Sequence, residues 1–292
     1  VFHESTASGD RIIYGFEILR SLIVIPKFPY FDHFAIGVKA WEDSFPRFVS
    51  RAGGRWTHGN DAGEFAPYQL EFEGGMRLEF IAPGSVKDGF MERFIATRGP
   101  GPHHLTFKVN SIQASLLKLQ RIGIKALGEV SGHPMWREVF IHPKAAGTGT
   151  LLQLVEADEI AMEALNGYPA PDGFPTSAPP NLNIAWVGLT VHSVSVAREI
   201  FVEILEGTVV DEGSGWIQIS WGPGRVLVVR EPDAYPGSPD IWTHALGVSN
   251  ITFGPDLIPL STFATRDIQW ERWPDDPLTC VDIWEFAFSE QN

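Results

Sequence analysis

A chain of 292 residues with 44% hydrophobic and 20% charged side chains is long enough for two domains with separate cores, and its composition excludes a largely disordered polymer. Its 36 acidic residues against 22 basic ones give a formal charge of −14, which excludes binding driven by phosphate neutralisation, so neither nucleic acid nor an anionic membrane is expected as a partner. A small organic molecule is the expected ligand. The lone Cys280 excludes an intrachain disulfide and any paired-thiolate metal site, so a bound metal has to be held by histidines and carboxylates; a reducing, cytoplasmic setting is compatible with this.

In chain order, residues 12–29 form an apolar stretch interrupted by Glu17, Arg20 and Lys27, too broken to span a membrane. The stretch reads as an element packed on the core, as an arm pairing two copies into a homodimer, or as the remnant of a processed leader. From Phe31 to Lys39 the pattern is that of a strand. A helix start follows at Asp43 and Ser44 with Pro46 in its first turn, Trp41, Phe45, Phe48 and Val49 give it a buried face, and Gly53-Gly54 stop it. Short strands are expected near 54–57, 68–73 and 76–82, the last two joined by the hairpin signal Gly74-Gly75. The order is β-α-β-β-β.

The same order returns from His104. A strand, a helix capped by Ser111 with Ile112, Leu116, Leu119 and Ile122 at helical spacing, a stop at Gly123, and strands near 124–127, 136–142 and 150–155 form the second unit. His33-Phe34-Ala35-Ile36-Gly37-Val38 and His104-Leu105-Thr106-Phe107-Lys108-Val109 share one shape, with a histidine opening each. Residues 165–183 carry five prolines and no periodicity and read as a linker. Beyond it the unit recurs roughly 150 residues further on, with strands at 185–191, 208–210, 215–220 and 225–230 and a helix at 195–205; a weaker fourth unit covers 247–253 and 283–288. The expected organisation is an N-terminal extension (1–30), a domain of two units (31–160), a proline-rich linker (161–183) and a second, degenerate domain (184–292). The fold class is α+β.

Paired β-α-β-β-β units with a strand-borne histidine in each, the run Gly101-Pro102-His103-His104, and Phe140-Ile141-His142-Pro143-Lys144 leading to Gly149-Thr150-Leu151-Leu152-Gln153-Leu154 resemble the vicinal oxygen chelate superfamily. Within it the chain is most similar to methylmalonyl-CoA epimerases and glyoxalase-like proteins. The resemblance implies a cupped sheet on which the first and last strand of each unit present four ligands to a divalent metal, here His33, Glu79, His104 and Gln153. It implies an ion among Co, Ni, Mn, Zn, Mg and Fe as cofactor, and a metal-dependent isomerase, epimerase or lyase that polarises a carbonyl or vicinal oxygens and removes a neighbouring proton through an enolate-like intermediate.

The family's epimerases carry a carboxylate where this chain has Gln153, so one of two proton-transfer groups is missing from the pattern. Glu79 and Glu71 are the candidate bases, and His133 in Gly132-His133-Pro134 is a candidate pocket acid or base. His103 is expected to face away from the site and Lys144 to serve a turn. In the second domain Trp186, Val228 and Asn250 stand where His33, Glu79 and His104 stand in the first, and Glu285 is the one residue there of a ligand type, so no metal is expected. Two other readings remain open: an Fe(II) extradiol-type ring-cleaving dioxygenase using His33, His104 and Glu79, and a metal-free small-molecule (drug) binding protein with the ten tryptophans lining a hydrophobic cup.

Overall fold

A computed structural model describes residues 27–133, 135–158, 169–176, 182–236, 242–243, 245–255, 257–266, 268–274, 278 and 280–288. Buried along its whole length, β1 (Tyr30–Gly37) lies in the middle of the first sheet. The helical segment after it starts with a 3₁₀ turn and is wound as a π-helix, α1 (Phe45–Arg51), with Phe45, Phe48 and Val49 inward as their spacing predicts. The strands β2 (Arg55–Gly59), β3 (Phe65–Glu71) and β4 (Arg77–Pro83) complete the first unit. A helix the periodicity did not reveal, α2 (Phe90–Arg98), bridges to β5 (Gly101–Lys108).

The second unit has α3 (Ile112–Arg121), whose Ser111 hydroxyl accepts from the Ala114 amide as an N-cap, then β6 (Ala126–His133), β7 (Trp136–Ile141), the short α4 (Pro143–Ala146) and β8 (Leu151–Ala157). These eight strands form one sheet in the order β2-β3-β4-β1-β5-β8-β7-β6. The two units are thus joined through antiparallel β1 and β5, and each closes on itself by a parallel pair, β1 with β4 and β5 with β8.

The later half repeats the plan. It contains β9 (Ile184–Thr190), α5 (Val194–Arg198, running on as π-helical Glu199–Ile204), β10 (Thr208–Gly213), β11 (Trp216–Ser220), β12 (Val226–Arg230), β13 (Gly247–Phe253), β14 (Ile268–Arg272) and β15 (Asp282–Phe288). Their order, β10-β11-β12-β9-β13-β15-β14, is that of the first sheet less one strand. One apolar core joins both halves, running from Phe31, Phe48 and Phe107 to Phe201, Ile219 and Phe253. Most of the extension 1–30 and of the linker 161–183 lies outside the described residues. Part of the proline-rich segment packs on the first half: Phe174 stacks edge-on against Phe45 and Trp56, and the Leu182 amide donates to the Ala52 carbonyl. Among the described residues no helix is long and apolar enough to cross a membrane.

Strand register explains why the second sheet lacks the first one's polar residues. Trp186 pairs with Thr252 as His33 pairs with Thr106, and Asn250 pairs with Gly188 as His104 pairs with Ala35. Val228 takes the place of Glu79 opposite Gly188. The residue matching Gln153 is Trp284, which pairs with Thr252, and not Glu285. Glu285 is one position on, and its carboxylate accepts from the Trp273 indole. The corresponding face of the second sheet is filled by Trp186, Val228, Trp284 and Phe286, covered by Trp242, Leu260 and Phe263.

The halves also meet at two glycines, one in the turn between β3 and β4 and one in the turn between β11 and β12. Gly74 and Gly224 both have positive φ (79° and 65°), and a Cβ on Gly224 would lie 2.7 Å from the Gly74 carbonyl oxygen. Replacing Gly224 with alanine is expected to cost about 1–3 kcal/mol, because neither the backbone conformation nor the facing backbone has room to yield. Equilibrium urea unfolding measures it.

Candidate functional site

Two bulges shape the site. Between β1 and β5 the register slips once at Asp32 and once at His103, each time adding one residue just before a histidine of the central strands. The bulge at Asp32 lets Phe31 and Phe34 both enter the core while His33 faces the other side of the sheet. In each case the extra residue bonds its neighbour: Asp32 Oδ2 lies 2.7 Å from His33 Nδ1, and His103 Nδ1 lies 2.7 Å from His104 Nδ1. His103 therefore does not face away from the site as alternation predicts. The bulge turns it into the cavity wall, where it packs against Phe94 and Phe90.

His33, Glu79 and His104 converge. Their nearest ligand atoms all lie within 4.8 Å of one another, with Glu79 Oε2 3.6 Å from His33 Nε2 and 3.7 Å from His104 Nε2. Ligand atoms about 2.1 Å from one ion lie about 3–4 Å apart, so this spacing suits one divalent cation. His104 Nε2 is buried and has no hydrogen-bond partner among the described residues. Such an orphan in a carboxylate–imidazole cluster is a donor atom that fits a metal ion. The donor set of two imidazoles and a carboxylate is chemically fit for a borderline or hard divalent ion.

The charges are arranged in sequence. Burial would lower the His33 pKa, but the Glu79 charge and the bond to Asp32 outweigh it and raise it to about 9. Burial would likewise raise Glu79, but the His33 charge, with His104 and Gln69, holds it at about 2. Asp32, fully buried, is kept well below the usual carboxylate range against its own desolvation by Lys108 and His33. Lys108 Nζ sits 3.5 Å from Asp32 Oδ1 and over the rings of Tyr30 and Trp136. His104 is pushed well down by burial and by His103, and burial also lowers His103 and takes His58 to about 4, so these three imidazoles are neutral at neutral pH.

Gln153 stands beside the cluster with both ends of its amide engaged. Its Oε1 accepts from Thr106 Oγ1 at 2.5 Å and its Nε2 donates to Glu138 Oε2 at 2.6 Å, while Thr106 Oγ1 is 2.9 Å from His33 Nε2. Glu71 is placed elsewhere. It is on the face of Glu79 but two residues along, ion-paired with Arg77 at 3.3 Å and Arg55 at 3.5 Å, and is not in the cavity wall. Its role as a base is not supported, since two guanidiniums already hold the carboxylate. His133 ends β6 opposite Trp136, and its side chain lies outside the described residues.

A cavity of about 620 Å³ opens over the cluster. Its walls come from alternate residues of two hairpins: Phe65, Pro67 and Gln69 on β3, and Trp136, Glu138 and Phe140 on β7. Glu138 and Gln69 were not singled out by sequence. Their signal was faint: each is a polar residue in phase with aromatics on a half-buried strand. The later half also supports the site, as Arg225 Nη1 donates to the carbonyls of Phe31 and Asp32, on either side of the bulge step.

Residues 32–140 match the Glyoxalase/Bleomycin resistance protein/Dioxygenase superfamily. No curated protein matches the chain. Among solved structures, a hypothetical protein of Bacillus halodurans is 26% identical over 46% of this chain and 97% of its own, with a TM-score of 0.41. The methylmalonyl-CoA epimerase of Mycobacterium tuberculosis is 25% identical over 49% of this chain and 98% of its own, with a TM-score of 0.41. The Streptomyces coelicolor methylmalonyl-CoA epimerase (S115T), solved with 2-nitronate-propionyl-CoA, is 22% identical over 46% and 97%, with a TM-score of 0.40.

Because the Asp32 carboxylate bonds His33 Nδ1 and helps to raise its pKa to about 9, Asp32→Asn should lower that pKa. NMR titration of the imidazole ring reads the shift, and circular dichroism confirms that the fold is retained.

Proposed function

With residues 32–140 matching the Glyoxalase/Bleomycin resistance protein/Dioxygenase superfamily, we propose that the chain is a divalent-metal-dependent enzyme of the isomerase or lyase type. Its substrate is a small organic molecule that offers a carbonyl or two vicinal oxygens. The observation that carries the reading is the cluster of two buried imidazoles, His33 and His104, about the half-buried Glu79, with the unpartnered His104 Nε2 at the cavity floor. These three side chains hold the ion. When bound, it supplies Lewis acidity, polarising a substrate oxygen and stabilising the enolate-like charge left as a neighbouring proton departs.

The remaining groups belong to the protein. Asp32 orients His33, and Gln69 Nε2 orients Glu79 by donating to its Oε1 at 3.2 Å. Glu138, a cavity carboxylate outside the cluster, is placed to take a proton and return it, while Trp136 and Gln153 fix its Oε2. One such group suits a reaction in which a single base removes and redelivers a proton; a racemisation would need a second group on the opposite side, and Glu79 is the carboxylate available there.

A second reading rests on the composition of the cluster, since two histidines and one carboxylate with open positions also suit Fe(II) and oxygen chemistry. Elemental analysis of purified protein separates the possibilities. Wild type is expected to carry a near-stoichiometric divalent ion, reduced at least about tenfold in both His104→Ala and Glu79→Ala, as loss of one of three ligands requires. Iron as that ion, with oxygen consumed on adding a catechol, would favour the second reading. A wild type that takes up no divalent ion on reconstitution would overturn both in favour of a metal-free binding protein.

A further inference from the structure

The cavity's polar lining sets the acceptors of Gln69, Glu79 and Glu138 beside the imidazoles of His58, His103 and His104 and the amides of Asn60 and Gln153. Gln69 is 2% exposed and lines the cavity; its Nε2 donates to Glu79 Oε1, which fixes the orientation of the amide and leaves Oε1 buried with no hydrogen-bond partner. Glu79 and Glu138 add carboxylate oxygens on two sides of the floor. Above them the walls are apolar and largely aromatic, with Phe65, Phe90, Trp136 and Phe140 facing the space. Among the described residues no lysine or arginine lines it. A cavity of about 620 Å³ is the size that encloses a small ring-bearing molecule.

From this distribution we infer that the cavity selects an uncharged, ring-bearing ligand with hydroxyl donors at its polar end, and rejects carboxylates and phosphate esters. A hydroxyl satisfies Gln69 Oε1, which an anion, having acceptors alone at that end, leaves orphaned at a full desolvation cost. Charge points the same way. On the reading that a divalent ion sits on His33, Glu79 and His104, Glu79 and Glu138 together balance its two charges, so the floor offers no net attraction to an anion. The walls supply ring-face contacts and exclude water, as a flat apolar body requires.

The inference rests on the proposed site but is tested apart from its metal. Calorimetric titration of the purified protein, once after chelator treatment and once reloaded with Zn²⁺, would compare 1-phenyl-1,2-ethanediol with phenylacetate, a ring-bearing carboxylate without a hydroxyl, and with acetyl-CoA. The diol is expected to bind at least about tenfold more tightly than either anion in both states, since one repelled and one unmatched group separate them. Gln69→Leu should abolish most of that preference by weakening the diol, and Glu138→Gln should reduce it by strengthening phenylacetate. Phenylacetate or acetyl-CoA binding as tightly as the diol, or no binding of the diol, would overturn the ligand class. If the protein takes up no zinc yet still prefers the diol after chelation, the metal reading fails while the ligand class stands.

Discussion

A carboxylate held between two imidazoles at the floor of a sheet is the constraint around which the first half of this protein is arranged. Left unpaired there, Glu79 would cost several kcal/mol of desolvation or give up its charge. It keeps the charge because Lys108, Asp32, His33 and Glu79 alternate in sign across the adjacent strands β5, β1 and β4, each within 2.7–3.6 Å of the next. The alternation leaves His104 neutral at the end of the line with an unused ring nitrogen. A divalent cation bound there would take over the role that the proton on His33 plays in its absence, and the order of signs would be preserved.

The bulges make that arrangement possible. A strand without a slip at Asp32 could not bury Phe31 and Phe34 on one side and still bring an aspartate to the ring nitrogen of the histidine between them. The second sheet has the same two slips, at Ala185 and Ser249, which shows that the scaffold is common to both halves and the chemistry is not. There the positions equivalent to His33, Glu79 and Gln153 hold Trp186, Val228 and Trp284, and the hollow is packed with their side chains. Each buried aromatic contributes about 1.5–3 kcal/mol of hydrophobic stabilisation that a polar hollow forgoes. One half therefore acts as a packed support, reaching the other's bulge through Arg225, while the other tolerates an open cavity.

The division between the cavity's parts follows from strand periodicity. On β3 and β7 the side chains that face the hollow are every second residue, so a single polar group sits among aromatics on each wall: Gln69 beside Phe65, and Glu138 between Trp136 and Phe140. Each of these polar groups is tied inward to the neighbouring strand, Gln69 by donating to Glu79 on β4 and Glu138 by accepting from Gln153 on β8. The result is a site with polar groups below and rings at the sides.

Much of this was legible in the sequence. The repeated strand-opening histidines and the β-α-β-β-β order located His33 and His104, and the apolar neighbours of Glu79 on its strand marked a carboxylate that needed a partner. These features are local, set by period and by residue type, and a linear chain displays them directly. What the tertiary structure decided depends on register and on bulges. The slip at His103 turned a residue expected to face away into cavity wall, and the pairing of β13 with β15 moved the counterpart of Gln153 from Glu285 to Trp284. Glu71 and Glu138 exchanged importance for the same reason: which carboxylate faces arginines and which faces the hollow is settled by strands far apart in sequence, and no periodicity within one strand carries that information.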